Sequence, residues 1–305
     1  MTTHLAGRRP APIVIPFDAS RSVERVLPWL QSLWASDASL VLLALGPERE
    51  IGVPRSPDAA LAAQRVAFHT RRVVEVVAGG EGADPVEAIL KTAMEWRAGL
   101  IAIAAAPGEE DDEAGDSLAT AVVRRSPLPV MVVSPAAAPS GPRRLIVPLD
   151  GSARAAQVLP VVEEIARRQG VIVHLLTVID PDQVLPPALA ETVRPGGQRY
   201  AELLSGLQSE AQCVLARAAA RLLAMRVPTT WDLRFGPAAA CIAGVARGDD
   251  AIVMTTHGRG GGYAELGSVA AEVICLSRVP VLALRADPIP ELVVEAHERV
   301  LSAES

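Results

Sequence analysis

The sequence predicts an α/β protein made of two tandem five-stranded parallel-sheet domains with helices on both faces. Short apolar runs alternate with helical patterns along the chain, as expected for parallel strands joined by helical crossovers. Half of the residues are hydrophobic and only 3% are aromatic, so Ala, Val, Leu and Ile must form the cores. A strand ending in Pro-x-Asp occurs twice, at residues 16–18 and 148–150, which indicates an internal repeat.

Five apolar runs predict the strands of the first half. They lie at residues 13–18, 40–45, 72–77, 100–104 and 129–133. Helical patterns separate them at residues 23–36, 59–68 and 85–97, and a short helix is expected before the fifth strand. Ser20 is the expected N-cap of the first helix, and Asp84 followed by Pro85 is a typical start for the third.

The second half repeats this order of strands. Ala104 and Thr255 close the fourth strands, and Pro129 and Pro280 open the fifth strands, with the same separation in each half. The five strands of the second half are predicted at residues 145–150, 171–178, 229–235, 251–255 and 279–284.

Two helices of the second half are marked by their first residues. Pro237 begins one helix, and the pair Gly267-Ser268 leads into another. The apolar residues expected on one face of this last helix are Val269, Val273 and Leu276.

Composition sets the expected domain boundaries. Residues 1–136 form the N-terminal domain and residues 143–287 the C-terminal domain, joined by a Pro- and Ala-rich linker at 135–142. Between Asp180 and Gln212 the second half is longer than the first, and the irregular stretch at residues 181–200 is expected to be an inserted loop. Residues 288–305 have a helical pattern and form a predicted tail.

Charge, hydropathy and cysteine content limit the function classes. The net charge is −6 with no basic tract, so nucleic acid is not an expected partner. No apolar run approaches the length of a membrane span, and the first residues lack the apolar core of a signal peptide. Cys213, Cys241 and Cys275 are expected to be small buried hydrophobes in a reducing cytoplasm, with neither a disulfide framework nor a zinc site.

A glycine-rich stretch at residues 257–262 follows the predicted fourth strand of the second half. Backbone N–H groups of such a loop, with a helix N-terminus behind it, can hold a phosphate group; the alternative is a loop that is merely flexible. Asp18, Asp150 and this loop all follow strand ends. Ligands of open parallel sheets bind beyond the carboxyl ends of the strands, so we expect one site per half.

These residues resemble the universal stress protein family in its tandem form. The resemblance is carried by residues 147–152, 176–180, 254–258 with 267–268, and 279–281, and the first half matches more loosely. It implies a strand order of 3-2-1-4-5 in each domain. ATP-binding members carry glycine, two residues, glycine, nine residues, glycine and Ser or Thr. This chain has Thr255 in place of the first glycine, and eight residues separate Gly258 from Gly267.

The resemblance implies an adenine nucleotide, ATP or a relative of it, with or without magnesium, in the C-terminal domain. Asp150 is expected to bind ribose or adenine, or else to be a helix N-cap or to form a turn. The apolar residues near it either line an adenine slot or belong to the core, and the threonines either donate to phosphate or end the strand. The expected binding residues are Pro148, Asp150, Val178, Met254, Thr255, Gly258, Arg259, Gly267 and Ser268.

No catalytic or metal-binding residue is assigned from the sequence. There is no GxxxxGK[ST] or HExxH motif, and no base for hydrolysis can be named, although Glu265 is close in sequence. Three functions therefore stay open: a nucleotide-binding stress sensor or adaptor, a slow ATP hydrolase on the same fold, and an interaction protein without nucleotide.

The two halves are expected to differ in binding and to pack through their fifth strands. Family members usually pair as dimers through this edge, which a tandem chain satisfies internally; a homodimer of whole chains stays open. In the first half, Pro107 and Asp116 stand where Gly258 and Gly267 stand in the second, around the acidic residues 109–113. These charges oppose a phosphate, so no nucleotide is expected there; the alternative is that they hold a metal ion.

Overall fold

A computed structural model describes ten segments of the chain. They are residues 10–18, 23–34, 38–45, 66, 73–78, 84–105, 117–138, 141–181, 197–256 and 267–286. The strands are β1 (Ile13–Phe17), β2 (Leu40–Ala44), β3 (Val74–Ala78), β4 (Leu100–Ala104), β5 (Val130–Val133), β6 (Arg144–Pro148), β7 (Ile172–Ile179), β8 (Thr229–Phe235), β9 (Asp250–Thr255) and β10 (Val281–Leu284). The helices are α1 (Leu27–Leu33), α2 (Pro85–Glu95), α3 (Leu118–Arg125), α4 (Ala153–Ala156), α5 (Leu159–Gln169), α6 (Gln198–Ala224), α7 (Ala238–Val245) and α8 (Ser268–Leu276).

The ten strands form one continuous sheet in the order β3-β2-β1-β4-β5-β10-β9-β6-β7-β8. Each half therefore has the order 3-2-1-4-5, and all strand pairs within a half are parallel. The predicted α/β fold class is confirmed, with the two expected sheets joined into one. The division of the chain at residues 136 and 143 stays a prediction.

The two halves meet where β5 and β10 pair in antiparallel fashion. Val281 lies opposite Val132, Leu282 opposite Met131, and Ala283 opposite Val130. This pairing confirms the expectation that the halves pack through their fifth strands. Because β5 and β10 run in opposite directions, the carboxyl ends of the parallel strands lie at opposite ends of the sheet in the two halves.

Apolar side chains cover the sheet on both faces, as the alternation of residues along parallel strands requires. On one face, side chains such as Ile13 and Val147 pack with helices α1, α5 and α6. On the other face, side chains such as Val14 and Ile146 pack with helices α2, α3, α7 and α8. The sheet is therefore the middle layer of three, with helices above and below each half.

Matching hydrogen bonds show that the repeat is structural. The N–H of Ala105 donates to the carbonyl of Val133 (2.9 Å) in the first half. The N–H of Thr256 donates to the carbonyl of Leu284 (2.8 Å) in the second. Both bonds join the residue after a fourth strand to the last residue of a fifth strand, as the equal spacing in the sequence predicts.

Most predicted elements are present, with small shifts at their ends. Asp84 is the N-cap of α2 and accepts a hydrogen bond from the N–H of Val86 (3.1 Å), as predicted. The first helix begins later than expected, at Leu27, after a single 3₁₀ turn at Val23–Arg25. Ser20, most of residues 59–68, the acidic residues 109–113 and the tail at 288–305 lie outside the described residues.

Of the three residues predicted for one apolar face of the last helix, only Val273 lies in the core. Val269 and Leu276 are exposed, whereas Ala270, Val273 and Ile274 are buried. Nearly every side of α8 is apolar, so its sequence does not select a face. Packing in the folded protein therefore selects which apolar residues are buried.

Two other expectations need correction. The irregular stretch at 181–200 ends earlier than predicted, because Gln198–Ala224 is already helical and forms the 27-residue α6. The three cysteines are free thiols, but none is buried: Cys213 is exposed, and Cys241 and Cys275 are half-buried. The first turns of α6 lie away from the apolar core, since the buried residues of α6 begin at Ala211.

Among the described helices, none combines the length and the apolar character that crossing a membrane needs.

A disulfide tests the register of the seam between the halves. Met131 and Leu282 are opposite each other and belong to the same apolar cluster, so their side chains lie on one face. In a background with the three native cysteines replaced by alanine, we expect Met131→Cys with Leu282→Cys to form an intramolecular disulfide, detected by peptide mapping without reductant. Met131→Cys with Ala283→Cys places the thiols on opposite faces and is the matched control. Equal cross-linking in both pairs, or none in either, would contradict the register.

Candidate functional site

A crevice opens between β6 and β9 at their carboxyl ends. The two strands are paired from Arg144 opposite Asp250 to Ile146 opposite Ile252, and no paired positions follow, although both strands continue. By contrast, β6 stays paired with β7 up to Pro148. From β6 the chain continues to β7 and β8 on one side of this opening, and from β9 it continues to β10 on the other side. The opening is therefore the topological switch point, where parallel sheets bind ligands.

Pro148 explains why the ladder stops. The N–H of Leu149 donates to the carbonyl of Leu176 (2.8 Å), so residue 149 faces β7. Because backbone groups of successive strand residues face opposite neighbours, residue 148 faces β9. Proline has no N–H to donate there, and the pairing with β9 cannot extend. The Pro-x-Asp ending found in the sequence is thus the local cause of the crevice.

Asp150 forms a turn immediately beyond this strand. Its Oδ1 accepts a hydrogen bond from the N–H of Ser152 (2.9 Å), and Gly151 between them has a φ of 81°, which favours glycine. Ser152 in turn caps α4 by accepting from the N–H of Ala155 (3.0 Å). Of the roles expected for Asp150, the turn role is present, whereas the N-cap of the next helix is Ser152 and not Asp150.

Three of the predicted apolar residues share the α7 side of the sheet at this end. Pro148 lies opposite Leu176, and Val178 follows two residues later on the same face. Met254 is buried and belongs to the apolar cluster of that face, against which the half-buried Val178 packs. The structure brings them together, and both readings, an adenine slot or ordinary core, remain compatible with their burial.

Helix α8 begins directly beside the end of β9. The N–H of Gly267 donates to the carbonyl of Thr256 (2.9 Å), which ties the start of the helix to the strand end. Gly267 is the N-cap residue and has no side chain with which to cap the first turn, which begins at Ser268. A Cβ at residue 267 would lie 3.2 Å from the carbonyl oxygen of Thr256, so the approach is close. Thr255 and Thr256 are both buried.

The equivalent helix of the first half begins differently. Ser117 is the N-cap of α3, and its hydroxyl accepts from the N–H of Thr120 (3.2 Å). The Ser117 and Thr120 hydroxyls also lie within hydrogen-bond distance of each other (3.1 Å), and both residues are buried. In the first half, the side chain of the N-cap residue accepts a hydrogen bond from a free N–H group of the first turn. In the second half, the N-cap residue is a glycine and cannot do so.

Gly258 and Arg259, together with His257 and Glu265, lie outside the described residues. The described part of the site thus contains the crevice, the Asp150 turn, the apolar residues and the start of α8. Within the described residues, no group of three or more His, Cys, Asp or Glu side chains is arranged to hold a metal ion.

Sequence reasoning missed an ion pair at the other end of β6. Arg144 donates from Nε to Asp250 Oδ1 (3.1 Å) and from Nη2 to Asp250 Oδ2 (2.6 Å), and Asp250 is buried. The hydrogen bonds to Asp250 raise the pKa of Arg144 above its ordinary value. The sequence did contain a signal for this pair. Arg144 and Asp250 carry opposite charges, and each directly precedes one of two apolar runs that were predicted to be strands.

The comparisons with known proteins agree with this fold. Residues 142–285 match the family model described as the universal stress protein family. A universal stress protein from Archaeoglobus fulgidus DSM 4304 aligns with a TM-score of 0.61 at 18% identity, covering 90% of this chain and 96% of that chain. A functionally unknown protein from Pseudomonas aeruginosa PAO1 aligns with a TM-score of 0.55 at 17% identity, covering 95% and 98%.

At these identities the solved structures show a shared fold across nearly the whole of both chains. No curated protein matches the sequence. The family match and the strand order agree with the resemblance seen in the sequence. Over residues 142–285, the second half of the chain is similar to the universal stress protein family.

Proposed function

We propose that the C-terminal half binds an adenine nucleotide, ATP or a related one, and that the protein acts as a cytoplasmic stress sensor or adaptor. The observation that carries the proposal is the start of α8. Its N-cap residue, Gly267, has no side chain, and the helix start is tied to the end of β9 beside the crevice that Pro148 opens. A helix N-terminus at a switch point attracts anions through its unpaired N–H groups and its dipole.

The other parts of the nucleotide have candidate partners around the same opening. Adenine fits the apolar group formed by Pro148, Val178 and Met254, and the Asp150 carboxylate accepts hydrogen bonds from ribose hydroxyls. Gly258 and Arg259 are assigned to the phosphates from the sequence alone. Magnesium accompanies the phosphates or is absent, and no protein ligand is assigned to it.

We further propose that only the C-terminal half binds nucleotide. The start of α3 is capped by Ser117, so the first half offers one N–H group fewer to a phosphate. The sequence adds Pro107, which lacks an N–H, and the acidic residues 109–113, which repel phosphate. Nucleic acid is not among the proposed partners, because the chain carries a net charge of −6.

Gly267→Asp tests the phosphate position without unfolding the helix. Aspartate is a preferred N-cap residue, which favours α8, while its Cβ lies 3.2 Å from the carbonyl oxygen of Thr256 and requires a small shift there. The two effects oppose each other, so we expect the helix to be retained. A negative charge about 4 Å from a phosphate costs about 4 kcal/mol at an effective dielectric of 20, a loss of affinity of roughly a thousandfold. We expect calorimetry to show no ATP binding by this variant and thermal melting to show an intact fold.

Gly267→Asn is the matched control for this change. Asparagine caps helices as well as aspartate and adds the same bulk near Thr256, but it carries no charge. We expect it to bind ATP more weakly than the wild type and much more tightly than Gly267→Asp. Unchanged ATP binding by Gly267→Asp would place the phosphates elsewhere and overturn the proposal.

Asp150→Asn and Asp18→Asn together test which half binds. The asparagine oxygen can still accept from the N–H of Ser152, so the turn persists. Loss of the charged acceptor should weaken ATP binding roughly tenfold to a hundredfold. Asp18→Asn, at the matching strand end of the first half, should leave both the affinity and a stoichiometry of one nucleotide per chain unchanged. Two nucleotides per chain, or equal effects of both substitutions, would contradict binding by the C-terminal half alone.

A further inference from the structure

A groove with a volume of about 680 Å³ lies on the α7 side of the C-terminal half. It is lined by Arg144 of β6, His174 of β7, Asp232 and Arg234 of β8, the end of α7, and Arg247. Arg144 is the first residue of β6, about 13 Å along the strand from Pro148. The groove is therefore distinct from the crevice at the carboxyl ends of β6 and β9.

The groove exists because α7 is short and β8 is an edge strand. Helix α2, which covers the same face of the first half, has 11 residues, whereas α7 has 8. Three residues correspond to about 4.5 Å of helix length. The end of α7 thus leaves β8 and the start of β6 partly uncovered, and the space is of the size that small ligands occupy.

The polar lining is not a requirement of the fold. Matching the two halves by their strand pairing places His174 at the position of Val41, and Asp232 at the position of Val77. Val41 is fully buried in the apolar cluster of this face. One half therefore fills the face with apolar side chains where the other half has an imidazole and a carboxylate.

Arg144 is held rigidly at the floor of the groove. Its guanidinium is fixed by both oxygens of the buried Asp250, and Nη2 also donates to the carbonyl of Val245 (3.3 Å) at the end of α7. Among the described residues, Nη1 of Arg144 has no partner. A guanidinium fixed in this way offers its remaining donor at little cost in side-chain entropy.

Two further guanidiniums keep donors for a ligand. Arg234 donates from Nε to Asp232 Oδ2 (2.6 Å), and its terminal nitrogens have no partner in the described part of the chain. The Arg247 side chain has no hydrogen-bond or ion-pair partner there either, because both of its bonds to Asp250 use backbone groups. The N–H of Arg247 donates to Asp250 Oδ2 (2.8 Å), and its carbonyl accepts from the N–H of Asp250 (2.7 Å). Three arginines against Asp232 and Asp250 leave a local positive charge on a protein whose net charge is negative.

His174 adds a neutral donor or acceptor to this set. Its Nδ1 lies 2.9 Å from the hydroxyl of Thr230. Burial lowers the pKa of His174, and the charges of Arg144 and Arg234 lower it further, against opposing effects of Asp232 and Asp250. These effects favour the uncharged imidazole, and an anion bound beside it would raise its pKa.

Charged side chains on an edge strand can also serve only to prevent pairing with another strand. That role explains Arg234 with Asp232, but it does not explain Arg247 in a loop or the imidazole on the inner strand β7. We propose that this groove binds a small organic anion that carries a phosphate or carboxylate group. Guanidinium groups match both oxyanions through paired N–H donors.

Titrations of the full-length protein with inorganic phosphate, ribose 5-phosphate and citrate test the proposal. We expect at least one probe to bind at millimolar concentration or below and to shift the imidazole resonances of His174, assigned by their loss in His174→Gln. Arg247→Gln and Arg234→Gln should each weaken that binding about tenfold or more. Both residues are exposed, so the fold should be retained, and thermal melting checks this.

Arg143→Gln is the matched control, because its side chain is 86% exposed, pairs with Asp249 and does not line the groove. It removes the same charge and should leave probe binding unchanged, as should Gly267→Asp, which affects the proposed nucleotide site instead. Equal weakening by all three arginine substitutions would indicate a general charge effect and overturn the proposal. If none of the three probes binds to the wild type, the proposal is also overturned. The charged side chains of the groove would then serve only to prevent pairing of the edge strand with another strand.

Discussion

The antiparallel ladder between β5 and β10 is the interaction on which the whole architecture depends. Each half is a parallel sheet whose fifth strand would otherwise present an unpaired apolar edge, a site for aggregation. Pairing Met131 with Leu282 and Val132 with Val281 satisfies both edges within one chain and places their side chains in continuous cores. The remaining sheet edges are β3 and β8, and β8 carries charged side chains.

The same fold is used differently by its two halves. Both have a proline near the end of the first strand and a switch point beside it, so both have a crevice. They differ in the polar groups around it. Ser117 caps the helix beside the first crevice, whereas Gly267 leaves the second helix start without a side-chain cap. A duplicated scaffold can thus keep its packing in both copies while one copy changes the chemistry at its strand ends.

The groove beside α7 shows a second divergence of this kind. Losing about one turn from a covering helix exposes a sheet face, and an exposed face favours polar residues such as His174 where the first half has Val41. The bidentate pair between Arg144 and Asp250 also stabilises the paired part of β6 and β9, just before the strands separate. This ion pair therefore has a structural role whether or not the groove binds a ligand.

The sequence predicts the strands well because buried parallel strands are continuous apolar runs. It predicts the seam because the family resemblance implies pairing through the fifth strands, and an open apolar edge would favour aggregation. It does not predict the core face of α8, since that helix is apolar on nearly all sides and packing selects Ala270, Val273 and Ile274.

Contacts between strands that are far apart in the chain are also not predicted by the sequence. The backbone of Pro148 faces β9 because successive residues of β6 face β7 and β9 in turn. The ion pair between Arg144 and Asp250 joins residues that are 106 positions apart. Both depend on alignment of strands that only the folded sheet defines. The glycine loop illustrates a different limit, because its motif was visible in the sequence but Gly258 and Arg259 lie outside the described residues.

The central claim is that a nucleotide binds at the crevice of the C-terminal half. Photo-cross-linking of the full-length protein with azido-ATP, followed by peptide mapping, tests it most directly. The account predicts labelling of peptides that contain the end of β7 or the end of β9, near Val178 and Met254, competed by unlabelled ATP. Competed labelling that falls equally on the first half, or only on the groove peptide that contains Arg234, would contradict it.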